Sequence, residues 1–288
     1  MISAIFIQFS IRSRGGRRQQ QRRLQLLSDK IEEFPVRLRL LGCEVLTREI
    51  CHSLASSPHV IDAEFTKINM HDTPEELHRL IQCRIDAAAA GGYDAILLCY
   101  GLCGNATAGL CARHIPLIIP RAHDCCTLLL GSKSAFNSRF ADQPSSRFTS
   151  VGYMERSAES VASHPGTIAR AIGLPERYDD YVYKYGEENA RYIWKTLVEA
   201  AETSAGDNRI YFIDIPEASP PGGAARCEEL ARTAGLQCVR LQGSIALVEK
   251  LVMGEWGSED FLTVAPGQCI AGVYDFDEII AARDLAAE

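Results

Sequence analysis

The sequence has no CxxC pair, no GxGxxG or phosphate-loop pattern, and no GxSxG elbow. Their absence removes the zinc ribbon, the thioredoxin-type dithiol, the nucleotide-phosphate fingerprints and the serine-hydrolase turn. No apolar run approaches the length of a membrane span. Positive charge is not in excess: the formal net charge is −7, whereas phosphate binding needs a basic face, so nucleic acid is not an expected partner. The start does not read as a secretory signal, because the apolar stretch Ile2–Ile11 precedes the basic residues instead of following them. These absences lead us to expect a cytoplasmic, non-membrane globular protein that acts on a small-molecule substrate.

Cysteine, by contrast, is plentiful. The chain carries eleven, without the compact spacing of a secreted disulfide scaffold. Free or metal-bound thiols in a reducing compartment are the expectation. Three of them stand where apolar, strand-like runs stop: Cys43 after Val36–Leu41, Cys103 after Ala95–Cys99, and Cys125 after Leu117–Pro120. In a parallel α/β sheet, strand ends on one edge share a crevice where ligands gather. Cys51, Cys83, Cys111, Cys227 and Cys238 lie inside helix or strand patterns and read as core.

The pattern along the chain is strand and helix in alternation, which implies parallel crossovers and the α/β class. Residues 1–34 crowd Arg12, Arg14, Arg17, Arg18, Arg22 and Arg23 around Gly15-Gly16, a composition expected of a solvated, disordered arm. Thr73 followed by Pro74, Glu75 and Glu76 predicts a helix start. Helices are also expected at Ala106–Arg113 and Glu187–Ala201, and a strand at Phe148–Gly152. The second half repeats the rhythm of the first. Either one mostly parallel sheet with flanking helices is extended, or two Rossmann-like lobes, 35–153 and 154–288, face each other across a cleft. The two-lobe version is the expectation.

Two motifs carry chemistry. Cys99-Tyr-Gly-Leu-Cys103-Gly-Asn105 follows a buried strand and precedes an expected helix. Gly101, Gly104 and Asn105 would let backbone approach a ligand, and a helix start would favour a Cys103 thiolate. Pro120-Arg-Ala-His123-Asp124-Cys125 has the same placement. His123 and Cys125 are close enough to ligate one ion and are borderline-soft donors suited to zinc or iron. Asp124 reads equally as a helix cap or a catalytic acid. Arg121 reads equally as a clamp on a carboxylate or phosphate and as the partner of a sheet-edge acid. Tyr181–Tyr192 and Glu255-Trp256 read as a solvated helix start and a packing anchor, with pocket-lining roles as alternatives.

At Tyr100–Asn105, at Ile119–Cys125 continuing through Leu128–Ser132, at Tyr185–Ala190 and at Glu259–Leu262 the chain resembles a family catalogued only as domain of unknown function 1638. The resemblance spans most of residues 36–270. It implies cysteines at positions 43, 103 and 125, histidine at 123, and, by gene association, a link to corrinoid-dependent methyl transfer and one-carbon metabolism. Three functions follow as expectations. The first is a metalloprotein in which Cys43, Cys103, Cys125 and His123 hold zinc or an iron–sulfur cluster, acting on a small sulfur- or methyl-containing substrate. The second is a metal-independent, cysteine-based racemase or isomerase. The third is a non-catalytic protein handling a metal, a cofactor, or a corrinoid or methyltransferase partner.

Overall fold

The computed structural model describes residues 24, 25, 27, 30, 31, 35–68, 70, 73–141, 146–156, 178–187, 190, 191, 194, 208–273 and 277–285. In chain order the first elements are strand β1 (Arg37–Cys43), helix α1 (Thr47–Leu54), β2 (Val60–Thr66), α2 (Pro74–Ala88), β3 (Ala95–Cys99) and β4 (Leu117–Pro120). Next come α3 (Cys125–Leu130), α4 (Lys133–Phe140), β5 (Phe148–Thr149), α5 (Val151–Arg156) and α6 (Tyr178–Tyr185). The remainder comprises β6 (Arg209–Asp214), α7 (Gly223–Thr233), β7 (Gln237–Gln242), α8 (Ala246–Met253), β8 (Phe261–Val264), β9 (Gln268–Gly272) and β10 (Ile280–Asp284).

Strand position follows from which faces are apolar. Every residue of β3 and β4 is buried, the signature of strands covered on both sides. On β1 the arginines reach sideways: Arg37 lies 3.0 Å from Asp62 and Arg39 pairs with Glu64, both acids on β2, while Arg84 of α2 lies 2.9 Å from Glu64. The sheet runs β2-β1-β3-β4-β8. Its first four strands are parallel, and β8 closes the edge antiparallel to β4. From β1 the chain steps outward to β2 and then returns past β1 to β3, so the topological switch point lies between β1 and β3. Crevices outside strand carboxyl ends at such points are the usual ligand sites of open α/β sheets.

A second parallel sheet, β5-β6-β7, and a β9-β10 hairpin complete the fold. The α/β class and the mostly parallel main sheet match the sequence expectation. The division at 153/154 does not follow the sheets, because α8 packs on α1, β3 and β4, and β8 is a strand of the first sheet. One continuous core joins Leu38, Leu97 and Ile118 to Ile213, Ile215 and Leu241 of the second half. A smaller core under α7 gathers Val151, Met154, Phe212 and Cys227.

Several expectations change. The arm does not stay detached through residue 34: Leu27 and Ile31 pack on the core, and Lys30 Nζ lies 2.6 Å from Asp94. Residues 1–23 lie outside the described residues, as does most of Glu187–Ala201. Cys51 and Cys83 are exposed, on the outer faces of α1 and α2, and are not core. Phe148–Gly152 is strand only over its first two residues, and α5 begins at Val151. Tyr183 is 95% exposed, which makes its helix a solvated one. Trp256 anchors packing, its Nε1 donating to the Leu251 carbonyl at 2.7 Å.

Glu49 of α1 is a buried acid. It is 3% exposed, and its Oε2 has no hydrogen-bond partner among the described residues. Burial lifts its carboxyl from 4.5 to about 7. A carboxyl raised in the folded state stabilises least where it must ionise, so stability is highest below about pH 4.5, declines from there to about pH 7, and carries the full penalty above it. The full penalty is about 3 kcal/mol. Glu49→Gln is therefore expected to raise the urea midpoint at pH 8 and leave it unchanged at pH 4.5. Parallel midpoints at both pH values would remove the buried charge as the cause.

Candidate functional site

Cys43 is the last residue of β1 and is buried beside the switch point. The corner after it is fixed by its own polar groups. The Glu44 carboxylate accepts the Ile68 N–H at 2.8 Å, and the Thr47 hydroxyl donates to the Glu44 carbonyl at 2.6 Å.

The loop after β3 is not followed by the expected helix. Cys103, Gly104 and Asn105 form a left-handed run with φ of 48°, 63° and 72°, and Gly109 follows at 84°. Such a run cannot enter a right-handed helix. Residues 109–112 instead extend along β9. Gly109 N–H donates to Ile270 O at 2.7 Å, Ile270 N–H to Leu110 O at 2.9 Å, and Ala112 N–H to Gln268 O at 2.9 Å. Cys111 and Cys269 are joined there by a disulfide, contrary to the expectation that all cysteines are free or metal-bound. With no helix after it, Cys103 receives no help from a helix dipole.

What holds Cys103 is the neighbouring loop. Leu102 N–H donates to Ala122 O at 2.8 Å, and Cys103 N–H to His123 O at 3.0 Å. Gly101 makes this possible, since a Cβ there would sit 2.6 Å from the Asp124 backbone. The space that Gly101 leaves is taken by Asp124 and not by a ligand. The Thr107 hydroxyl ties the loop back to the Gly101 carbonyl at 3.1 Å. Gly104 and Asn105 shape the turn.

The second motif divides its roles. Asp124 caps α3, its Oδ1 accepting the Thr127 N–H at 3.2 Å, and burial lifts its carboxyl to about 6. The Arg121 guanidinium is engaged by backbone: Nε donates to Ser258 O at 2.9 Å, and NH1 to Glu278 O at 2.8 Å and to Ile280 O at 2.5 Å. It clamps the C-terminal segment to the end of β4. The His123 imidazole lies against Phe136, ring centroids 5.9 Å apart. Cys125 opens α3 and is buried.

The three predicted thiols come within interaction range through Cys125, which acts on both Cys103 and Cys43. The bond from Cys125 holds the Cys43 thiol below its ordinary range, outweighing the effect of burial. Cys125 is pushed the other way, chiefly by Cys103, then by Cys43 and burial. Cys125 thus holds its proton more tightly than Cys43 does. Cys99 and Cys126 are fully packed, and burial raises both thiols. Among the described residues no group of three or more His, Cys, Asp or Glu side chains surrounds a point closely enough to hold an ion.

Two tyrosines that sequence reasoning missed lie within electrostatic reach of these thiols. Tyr100 is buried, with its Oη 3.0 Å from Thr66 Oγ1, and is within electrostatic reach of Cys43 and Cys103. Tyr153 arrives on α5 from the second sheet and is within reach of Cys125, Cys43, Asp124 and Cys103. Tyr100 borders the first motif and could have been found by its position; nothing local marks Tyr153.

Among the described residues no helix is long and apolar enough to cross a membrane. No curated protein and no solved structure matches the chain. The family described as protein of unknown function (DUF1638) matches residues 65–252. That span includes Cys103, His123, Cys125 and Tyr153 and leaves Cys43 outside, so it is narrower than the sequence resemblance implied. It covers well over half the chain, and the chain therefore belongs to the DUF1638 family of proteins of unknown function.

Proposed function

We propose that Cys43, Cys103 and Cys125 hold a metal centre, either zinc or an iron–sulfur cluster, with His123 as fourth ligand or nearby acid–base. The observation that carries this reading is the arrival of three thiols at the switch point of the sheet from the ends of three different strands, with Cys125 acting on both of the others. A proton shared between thiols occupies the place a soft cation takes when thiols ligate, and ligation releases it. Tetrahedral thiolates at a zinc–sulfur distance of about 2.3 Å stand roughly 3.8 Å from one another, so these three sulfurs must draw together to grip one ion. Cys103 is the sulfur free to do so. It is half-buried on an irregular loop, whereas Cys43 and Cys125 are fixed by a strand end and a helix start.

Three thiolates and one open position would let zinc activate a substrate thiol for methyl transfer, as Lewis acid and template. A small sulfur- or methyl-containing substrate fits that chemistry. The expected result is that protein purified without oxygen carries about one equivalent of zinc, or iron with sulfide-to-iron absorption, and that Cys103→Ala loses most of it. Metal-free protein that is nevertheless active would overturn the reading.

A second reading has one observation in its favour. The low Cys43 thiol beside the high Cys125 thiol is the asymmetry of a base paired with an acid, which is what cysteine-based proton transfer needs. Turnover that resists chelators and is lost on alkylation would select it.

A further inference from the structure

Away from the three predicted thiols, two further cysteines meet on the second sheet. Cys227 stands in the middle of α7 and Cys238 on β7, and their Sγ atoms are 3.4 Å apart, in hydrogen-bond contact. Local pattern delivers both to one interface. Cys227 and Ala231, one helical turn apart, are the buried positions of α7. Cys238 lies in register with Ile210 of β6 and packs with Ile210 and Phe212 in the small core under α7. The helix sits close to the sheet because Gly223, in its first turn, has no side chain. A Cβ there would fall 2.9 Å from Val151 Cγ2. A short side chain on the helix can therefore touch a short side chain on the strand.

The two thiols differ in access. Cys227 is fully buried in the core with Val151, Met154 and Phe212, whereas Cys238 is half-buried, on the outer strand of the three. Burial raises both thiols. The contact between them adds to that rise at Cys227 and opposes it at Cys238, so Cys238 is the first to ionise. The chain already holds one disulfide, Cys111–Cys269, and so is not confined to a fully reduced state.

We propose that Cys227 and Cys238 form a redox-active dithiol, oxidised reversibly by small organic disulfides. The proposal is independent of the metal-centre reading. Cys238, the accessible thiol, loses its proton and attacks one sulfur of the organic disulfide. A bond from Cys238 to that sulfur forms, the organic disulfide bond breaks, and the other half leaves as a thiolate that is then protonated. Cys227 next loses its proton and attacks the Cys238 sulfur. The Cys227–Cys238 bond forms, and the second organic thiolate leaves and is protonated. Two protein thiols give up two electrons, and one organic disulfide is reduced to two thiols. The second step joins sulfurs that packing already holds side by side, which favours the internal bond over a lasting adduct.

The test equilibrates the folded, full-length protein in mixtures of reduced and oxidised glutathione, blocks free thiols with a maleimide in acid, and maps the products after trypsin. Cleavage at Arg226, Arg232 and Arg240 puts the two cysteines on separate peptides, 227–232 and 233–240. In oxidised buffer these peptides are expected to be linked in more than half of the chains, and dithiothreitol is expected to return them to two blocked thiols. Cys227→Ala is expected to keep glutathione on Cys238, several-fold more than Cys227 takes up in Cys238→Ala. Wild type with no linked pair, at a ratio that places glutathione on the exposed Cys51 and Cys83, overturns the proposal. A link that forms only in urea overturns it as well. More glutathione on Cys227 than on Cys238 in the single variants overturns the order of attack and leaves the dithiol standing. Where a variant does not fold, wild type quenched at early times decides the order. Glutathione found on Cys238 before the link forms supports it, and glutathione on Cys227 refutes it.

Discussion

Gly101→Ala is expected to part the two cysteine loops and to destabilise the protein by about 3 kcal/mol, the upper range for forcing a methyl into a filled space. The added Cβ would lie 2.6 Å from both Cα and N of Asp124, and neither atom can swing aside as a side-chain tip would. Relief requires the loops to separate. That stretches the bonds from Leu102 to Ala122 and from Cys103 to His123, and moves Cys103 off Cys125. Gly104→Ala is the matched control. Its φ of 63° makes alanine unfavourable by about 1–2 kcal/mol, and Gly104 lies outside the inter-loop bonds. Urea midpoints measure the stability difference, and the alkylation rate of Cys125 measures the opening of the site. If Gly101→Ala costs no more than Gly104→Ala, or leaves Cys125 equally protected, close packing of the two loops is not what assembles the sulfurs.

The second large effect is expected at Cys125. Its thiol is the one that acts on both others, so its removal ends two interactions where Cys43→Ala or Cys103→Ala ends one. Cys125→Ala is expected to abolish metal retention after dialysis, whereas Cys103→Ala keeps a residue of weak binding. In metal-free protein the Cys43 thiol loses the donor that holds it below its ordinary range, so its alkylation near neutral pH slows although a neighbour has become smaller. A faster reaction at Cys43 would mean that access governs it and the hydrogen bond does not. The substitution is small and buried, so thermal midpoints of the three alanine variants show whether any difference in metal retention reflects folding.

The strand ends that carry the site were legible in the sequence because each is a short apolar run, and a run such as Ala95–Cys99 can lie only in the middle of a covered sheet. Asp124 as a cap was legible for the same local reason. What sequence reasoning misjudged depends on partners far along the chain. Ala106–Arg113 has helical composition, but the left-handed run before it and its bonds to residues 268–270 make it an extended arm. The role of Arg121 is set by carbonyls more than 130 residues away, at Ser258, Glu278 and Ile280. Tyr153 was hidden because its helix is seated by Gly152 against Val45, a contact with no trace in the residues around it. Cys51 and Cys83 show the limit of composition: on a helix, cysteine on the outer face and cysteine in the core have the same local pattern.

The antiparallel strand at the border of the main sheet has a consequence for biosynthesis. Pro120 leaves the ribosome about 140 residues before Phe261, its eventual pairing partner. At roughly 5–20 residues per second, that flank of the nascent sheet stays bare for on the order of 7–28 seconds. During that interval its unsatisfied amides and carbonyls can recruit foreign chains. A message cut short before codon 261 should accordingly yield aggregates that sediment with ribosomes, even though every proposed sulfur ligand has already been made.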